Sequence, residues 1–251
     1  SLLHGTIMEC SRTDLRKWFL AFYLFSRERN DLNAVRLKEA IQVTYKTAWL
    51  MLTKIRAALG TKDKQKKLTG HVRINPATYG TKIHASLNRH PQEHPLLIAA
   101  ELNQNGQPTY IKIKQILNKY LSGRSVNPLG VRTFLMEHTD AEPASRTYIN
   151  PITGEKKTTI EKMRLASSSK IDYIMKPFSP GRCRTLRRIA LDAASWINTT
   201  FHSVGRKHLQ KYLDEYCFRI NQIKANQPIF EKLLSICTSI PALTYQQLTK
   251  P

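Results

Sequence analysis

The N-terminal quarter of the chain carries a helical rhythm of apolar residues. Over Thr13–Arg29, Leu15, Trp18, Phe19, Phe22, Tyr23 and Phe25 recur at spacings of three and four, with Thr13 and Asp14 as start signals, which predicts a helix with one buried face. A shorter periodic stretch, Ala34–Ile41, has Asn33 in the N-cap position. A third, capped by Thr44, runs over Tyr45–Leu59 through Trp49, Leu50, Leu52, Ile55 and Leu59 and stops at Gly60. Only Gln42-Val43-Thr44 separate the second from the third.

Two helices joined by so short a turn cross steeply, and the later one can push its first turn into a DNA major groove. Tyr45, Lys46 and Thr47 are then the residues presented. Lys54 and Arg56 lie farther along and are expected to reach phosphates, contacts that set register without reading sequence. An ordinary three-helix bundle with solvated Lys and Arg fits the same pattern.

Beyond the Lys-rich stretch Thr61–Lys67, which reads as a linker, the periodicity changes from helix to strand. Leu68–Ile74 alternates, His94–Glu101 is a short apolar run, and Thr109–Ile116 alternates again; Asn105-Gly106 supplies the hairpin chemistry between the last two. A helix is expected over Leu129–His138 and a strand around Thr147–Asn150. The polar stretch Pro151–Ser169 contains a short helix near Thr159–Leu165, and Ile171–Met175 reads as a further strand. Helical patterns return over Arg182–Thr200, Arg206–Asn221 and Pro228–Cys237. In the middle one, Leu209, Tyr212, Leu213, Tyr216, Cys217 and Ile220 form a core-facing stripe. The order is helices, then a sheet with an interspersed helix, then helices, an α/β chain. Its expected divisions are a helical segment over 1–60, a basic linker over 61–67, and a sheet domain with C-terminal helices over 68–251.

Charge changes the picture more than composition does. The 251 residues hold 40 Lys and Arg against 18 Asp and Glu, a net charge of +22, while 41% hydrophobic content is too much for a disordered polycation. No apolar run approaches the ~18 residues of a membrane span. A surplus this large concentrates polyanions, nucleic acid first, with a membrane surface or an acidic protein second. The clusters Lys62–Lys67 (Lys64, Lys66 and Lys67 among them), Arg182–Arg188 (Arg182, Arg184, Arg187, Arg188) and Arg206–Lys211 (Arg206, Lys207, Lys211) are long enough to track a duplex. Cys10, Cys183, Cys217 and Cys237 are scattered without a C-x-x-C pair, so no zinc site or disulfide framework is expected, but reduced thiols in an intracellular protein of cytoplasm, nucleoid or nucleus. His84, His90 and His94 lack Cys or carboxylate partners at ligand spacing and read as surface histidines.

Two patches are more specific. Gly5-Thr6-Ile7, Leu15-Arg16-Lys17-Trp18-Phe19 and Tyr45-Lys46-Thr47-Ala48-Trp49 form one; the other runs from Trp196-Ile197-Asn198-Thr199-Thr200-Phe201-His202 to Lys207-His208-Leu209-Gln210-Lys211-Tyr212-Leu213-Asp214-Glu215-Tyr216-Cys217-Phe218-Arg219-Ile220-Asn221. They resemble, respectively, the segment before the catalytic domain and the C-terminal signature of ISXO-like insertion-sequence transposases, relatives of the Merlin elements. Leu68–Asn75 through Tyr79–Lys82 is similar to the family's first catalytic strand; the stretch about Asn118–Ser179 is weakly matched. The resemblance implies an RNase H-like mixed sheet flanked by helices and preceded by a DNA-binding helical segment. The zinc ribbon usual in the family would lie before Ser1, and a chain opening on Ser rather than Met reads as trimmed.

The family's pattern is two Asp, an Asn or Glu, and a Lys; its carboxylates hold Mg²⁺ ions that stabilise the attacking and leaving oxygens of phosphoryl transfer. The first Asp falls on Asn75 with Pro76 beside it, the second on Asn150, the third position near Asp192 and the Lys near Ala194. A carboxamide offers an oxygen but no charge, so Asn75, Asn150 and Asp192 carry less negative charge than Mg²⁺ requires. The expectation is a catalytically inactive transposase descendant without metal cofactor, kept for binding double-stranded DNA, as a homodimer or a subunit of a larger complex and with no membrane association. Two alternatives stand: an active, Mg²⁺-dependent transposase using Asp140, Glu142 or Asp172, and an RNA or protein interaction module of a ribonucleoprotein.

Overall fold

The structure is a computed structural model and describes residues 3–27, 32–80, 90, 92–122, 125–140, 146–149 and 180–249. The expected strand over Ile171–Met175, the helix near Thr159–Leu165, His84, Glu142, Asn150 and Asp172 lie outside them. The described residues form a mixed α/β chain of two compact units, Ser1–Gln65 with Trp196–Pro251, and Lys66–Ser195. The segment after Trp196 groups with the N-terminal helices, whereas its sequence reading attaches it to the sheet.

In the helical unit, α1 (Leu15–Ser26) starts where Asp14 accepts from the Arg16 amide at 3.1 Å. It buries Trp18, Ala21, Phe22 and Phe25 but leaves Leu15, Phe19 and Tyr23 exposed. The six apolar positions span a wider arc than the neighbouring helices cover. α2 (Ala34–Ile41) has the expected limits, with Asn33 accepting from the Arg36 amide at 3.0 Å, and closes on Gln42 in the left-handed region at φ 51°.

α3 spans Tyr45–Gln65 and so runs through the expected stop at Gly60. The reason is packing. A Cβ on residue 60 would sit 2.7 Å from Oδ2 of Asp214, whose other oxygen accepts from Gln210 at 2.8 Å. Gly60 serves a close approach rather than a helix end.

Asp214 belongs to α6 (Arg206–Lys224), which follows α5 (Pro180–Phe201) and precedes α7 (Ile229–Ser239) and the short α8 (Tyr245–Thr249). Trp18, Phe22 and Phe25 of α1, Leu37 of α2, and Met51, Leu52 and Ile55 of α3 share one core with Leu233, Ile236 and Cys237 of α7. Each such aliphatic or aromatic side chain contributes about 1.5–3 kcal/mol on burial. Of the predicted α6 stripe, Leu209, Leu213 and Cys217 are buried; Tyr212, Tyr216 and Ile220 are only half-buried. Polar neighbours take the rest of that face: Asp214, Glu215, Arg219, Asn221 and Gln222 are buried.

In the sheet unit, β1 (His71–Tyr79), β2 (His94–Leu102) and β3 (Pro108–Gln115) form an antiparallel meander, and β6 (Arg146–Ile149) pairs parallel to β1, giving the order β3-β2-β1-β6. The first strand starts three residues later than expected and continues through Asn75 and Pro76. Leu68 instead makes a lone parallel bridge with Thr139. The β2–β3 turn is the five-residue stretch Asn103–Gln107, in which the Gly106 amide donates to the Asn103 carbonyl at 2.9 Å and Gly106 takes φ 72°. That left-handed position is what glycine supplies most cheaply. After a small hairpin, β4 (Leu121–Ser122) and β5 (Ser125–Val126), α4 (Pro128–His138) begins where Asn127 accepts from the Gly130 amide at 2.8 Å. Val72 and Ile74 of β1 join Leu97 and Ala99 of β2 in a core with Val131, Phe134 and Leu135 of α4. By strand alternation Arg73 and Asn75 take the opposite face.

Candidate nucleic-acid interface

α2, a three-residue turn and α3 present the arrangement anticipated for groove entry. The turn is held on both sides: Lys17 donates to the Gln42 carbonyl at 2.9 Å, and Thr44 accepts from the Thr47 amide at 3.1 Å. At the start of α3, Tyr45 and Lys46 are exposed and Thr47 is half-buried. Ala48, Met51, Leu52 and Ile55 anchor the helix beneath them. The first turn is thus projected from a rigid base.

Beside it lies a recess of about 250 Å³ between α3 and the loop leading into α1. Its cations are Arg12, Lys46 and Lys54, its hydroxyls Ser11, Thr13 and Thr47, and its apolar wall includes Trp18 and Met51. No carboxylate lines it. Trp18 Nε1 donates to Ser11 Oγ at 3.0 Å, and Lys54 Nζ donates to the Ile7 carbonyl at 3.1 Å. Burial holds the Lys54 ammonium below its ordinary pKa.

The other expected phosphate contacts divide into groups engaged inside the fold and groups nearer the surface. Arg56 is a correction: it is 2% exposed, pairs with Glu215 at 2.6 Å and lies over the rings of Tyr212 and Phe201. Its position one turn from Leu52 and Leu59 puts it on the buried stripe. Lys211 is half-buried and donates to the Leu248 carbonyl at 2.6 Å, which fastens α8; burial, then Lys207 and Arg56, lower its pKa. Lys67 donates to the Met136 carbonyl at 2.6 Å, and Lys66 lies 3.5 Å from Glu101 and over Tyr110. Lys64 is exposed in the last turn of α3, where the helix dipole favours a cation. Arg184, Arg187 and Arg188 are exposed on α5 while Leu186, Ile189 and Ala190 are buried; the side chain of Arg182 lies outside the description. Lys207 is exposed and Arg206 half-buried at the start of α6.

His208, next along α6, meets Trp49 edge-on with centroids 6.1 Å apart. Burial, then Lys211 and Lys207, lowers its pKa below the ordinary 6.5. Between that lowered value and 6.5 the unfolded chain binds the proton more readily, so stability should rise with pH across this window. Equilibrium unfolding of the protein and H208Q at several pH values checks this; the substitution should flatten the slope below 6.5.

Ile74 pairs with Ile149 on adjacent parallel strands; Asn75 is the next residue of β1, and Asn150, which follows Ile149 in sequence, lies outside the described residues. Asn75 is 5% exposed. Asp192 is exposed on α5. Asp140 is half-buried; its amide donates to the Leu68 carbonyl at 2.8 Å, ahead of β1, whereas Asn75 lies four strand residues beyond His71, on the order of 13 Å along β1. Of the three histidines, His94 stacks on Tyr79 at 6.0 Å and His90 is half-buried. Among the described residues no three His, Cys, Asp or Glu side chains gather as metal ligands.

Sequence reasoning missed Ser11, Arg12 and Thr13 as neighbours of the first turn of α3. The only signal for them was Arg12 just ahead of the α1 cap, which periodicity cannot place. No described helix is long and apolar enough to cross a membrane.

No protein-family model matches the chain, and no curated protein does. Among solved structures, the chain is similar to the Mos1 mariner paired end complex with Mn, at 10% identity over 83% of this chain and 78% of that one, with a TM-score of 0.24. At that TM-score the likeness carries no weight beside the residues themselves.

Proposed function

We propose that this chain binds double-stranded DNA through the first turn of α3, and that it is a transposase descendant whose catalytic centre has lost its charge. The observation that carries the binding reading is the rigidly based, exposed Tyr45-Lys46 turn beside a recess lined by three cations and no carboxylate. Phosphate contacts depend on Lys and Arg, not on catalytic carboxylates, so binding survives loss of the metal site.

Support for an RNase H-like sheet comes from the topology: an antiparallel meander, a helix, then a strand parallel to the first. Support for inactivity comes from the donor set. Asn75 and Asn150 offer neutral oxygens, and Asp192 is exposed on a helix, a set that does not fit a pair of divalent cations. The Asp140 alternative is weakened because that residue sits near Leu68, away from Asn75.

The test is a titration of fluorescent duplex into the intact protein and its Y45A/K46A variant. The double substitution should cost about 1–3 kcal/mol of binding free energy. Equal affinity in the variant, or structured RNA competing as well as duplex of the same length, would contradict the reading, because an A-form helix denies α3 its deep groove. Mg²⁺-dependent strand cleavage would contradict the inactive assignment.

A further inference from the structure

The recess beside α3 has chemistry of its own. Ser11 Oγ already accepts from Trp18 Nε1 at 3.0 Å and from the Thr13 amide at 3.2 Å, so its proton is left to donate elsewhere. Lys54 is half-buried, and among the described residues no carboxylate pairs with it. A cation that has given up water without gaining a counter-charge is favourable ground for an anion. Of the two acids that flank the recess in sequence, Glu9 is occupied by the His4 ring at 2.7 Å and the Gly5 amide at 3.1 Å, and Asp14 accepts from the Arg16 amide at 3.1 Å. Arg12 completes the set from the exposed rim.

We infer that this recess seats one backbone phosphate of bound duplex DNA, gripped by Arg12, Lys46 and Lys54 with Ser11 and Thr13 donating hydroxyl hydrogen bonds. The seat rests on the DNA-binding reading and adds to it a defined phosphate clamp. Because Lys46 belongs both to the recess and to the projected turn, a phosphate held here sets how far α3 enters the groove.

Cys10 reports on occupancy, because it lines the recess and is exposed, whereas Cys217 and Cys237 are buried. The intact protein is treated with N-ethylmaleimide alone, with saturating duplex, and with millimolar inorganic phosphate, and Cys10 modification is read by peptide mass spectrometry. Duplex should slow the modification several-fold, and the R12A variant should lose that protection. R12A should also lower the salt slope of duplex affinity by about 0.9, as expected for one lost phosphate contact, while K232A, an equal charge loss at an exposed position of α7, should leave protection intact. K54M adds a second cation to the comparison, and R12A keeps the test decisive if that variant folds poorly. Duplex binding with unchanged Cys10 modification overturns the seat and leaves DNA binding standing; absence of duplex binding overturns the underlying reading. Protection by inorganic phosphate without protection by duplex, or equal effects of R12A and K232A, also overturns it.

Discussion

Replacing Glu215 with Ala should cost the fold about 3–5 kcal/mol, because it strands buried cations without their counter-charge. Glu215 is 1% exposed and lies between two guanidiniums, 2.6 Å from Arg56 and 3.3 Å from Arg219. Arg219 also donates to the carbonyls of Phe25 and Arg27, and its guanidinium lies 4.5 Å from the Phe25 ring. Arg56 is enclosed by Tyr212 and Phe201, at 4.2 and 5.1 Å, with Nη2 left without a partner. Removing the carboxylate therefore leaves two arginines in a site that water does not reach. Denaturant unfolding of the protein and of E215A and E215Q measures the cost. The amide should recover part of the hydrogen bonding but not the charge, so E215Q should fall between the other two. A loss below about 1 kcal/mol, the ceiling for an exposed pair, would show that the network is solvated.

The same residues show where the sequence was legible. α2 kept its expected limits because both ends are written locally, in the Asn33 cap and in the turn through Gln42 and Thr44. α4 and the antiparallel β2–β3 pair were readable for similar reasons: apolar period, turn chemistry and short-range hydrogen bonds. The failures are long-range. Nothing near Arg56 announces that its partner lies 159 residues away, so a surface role was the natural reading of a cation in a basic helix. Gly60 reads as a stop unless one knows that Asp214 approaches it. The exposed strip Leu15, Phe19 and Tyr23 shows the same limit, since periodicity finds an apolar arc but not how much of it neighbours cover. For the candidate site, the short turn before α3 and the exposed Tyr45-Lys46 at its start were visible in the sequence. The recess was not, because its walls come from a loop and a helix some forty residues apart.

On the proposed reading, a cationic surface built around α3 grips duplex DNA chiefly through its phosphates. In the helical unit, Arg12, Arg16, Lys46, Lys62 and Lys64 are exposed and Lys54 opens into the recess. If these six cations each meet a phosphate, counterion release sets a slope of log affinity against log salt of about −5. Between 50 and 200 mM monovalent salt that slope is a loss of about a thousandfold. Arg56 and Lys211, engaged inside the fold, should add nothing to it. The most direct measurement is the equilibrium affinity of the intact protein for a mixed-sequence duplex over a monovalent salt series. A steep negative slope near that value, reduced by the R12A and K46A substitutions, is the predicted result; a flat response to salt would contradict the account.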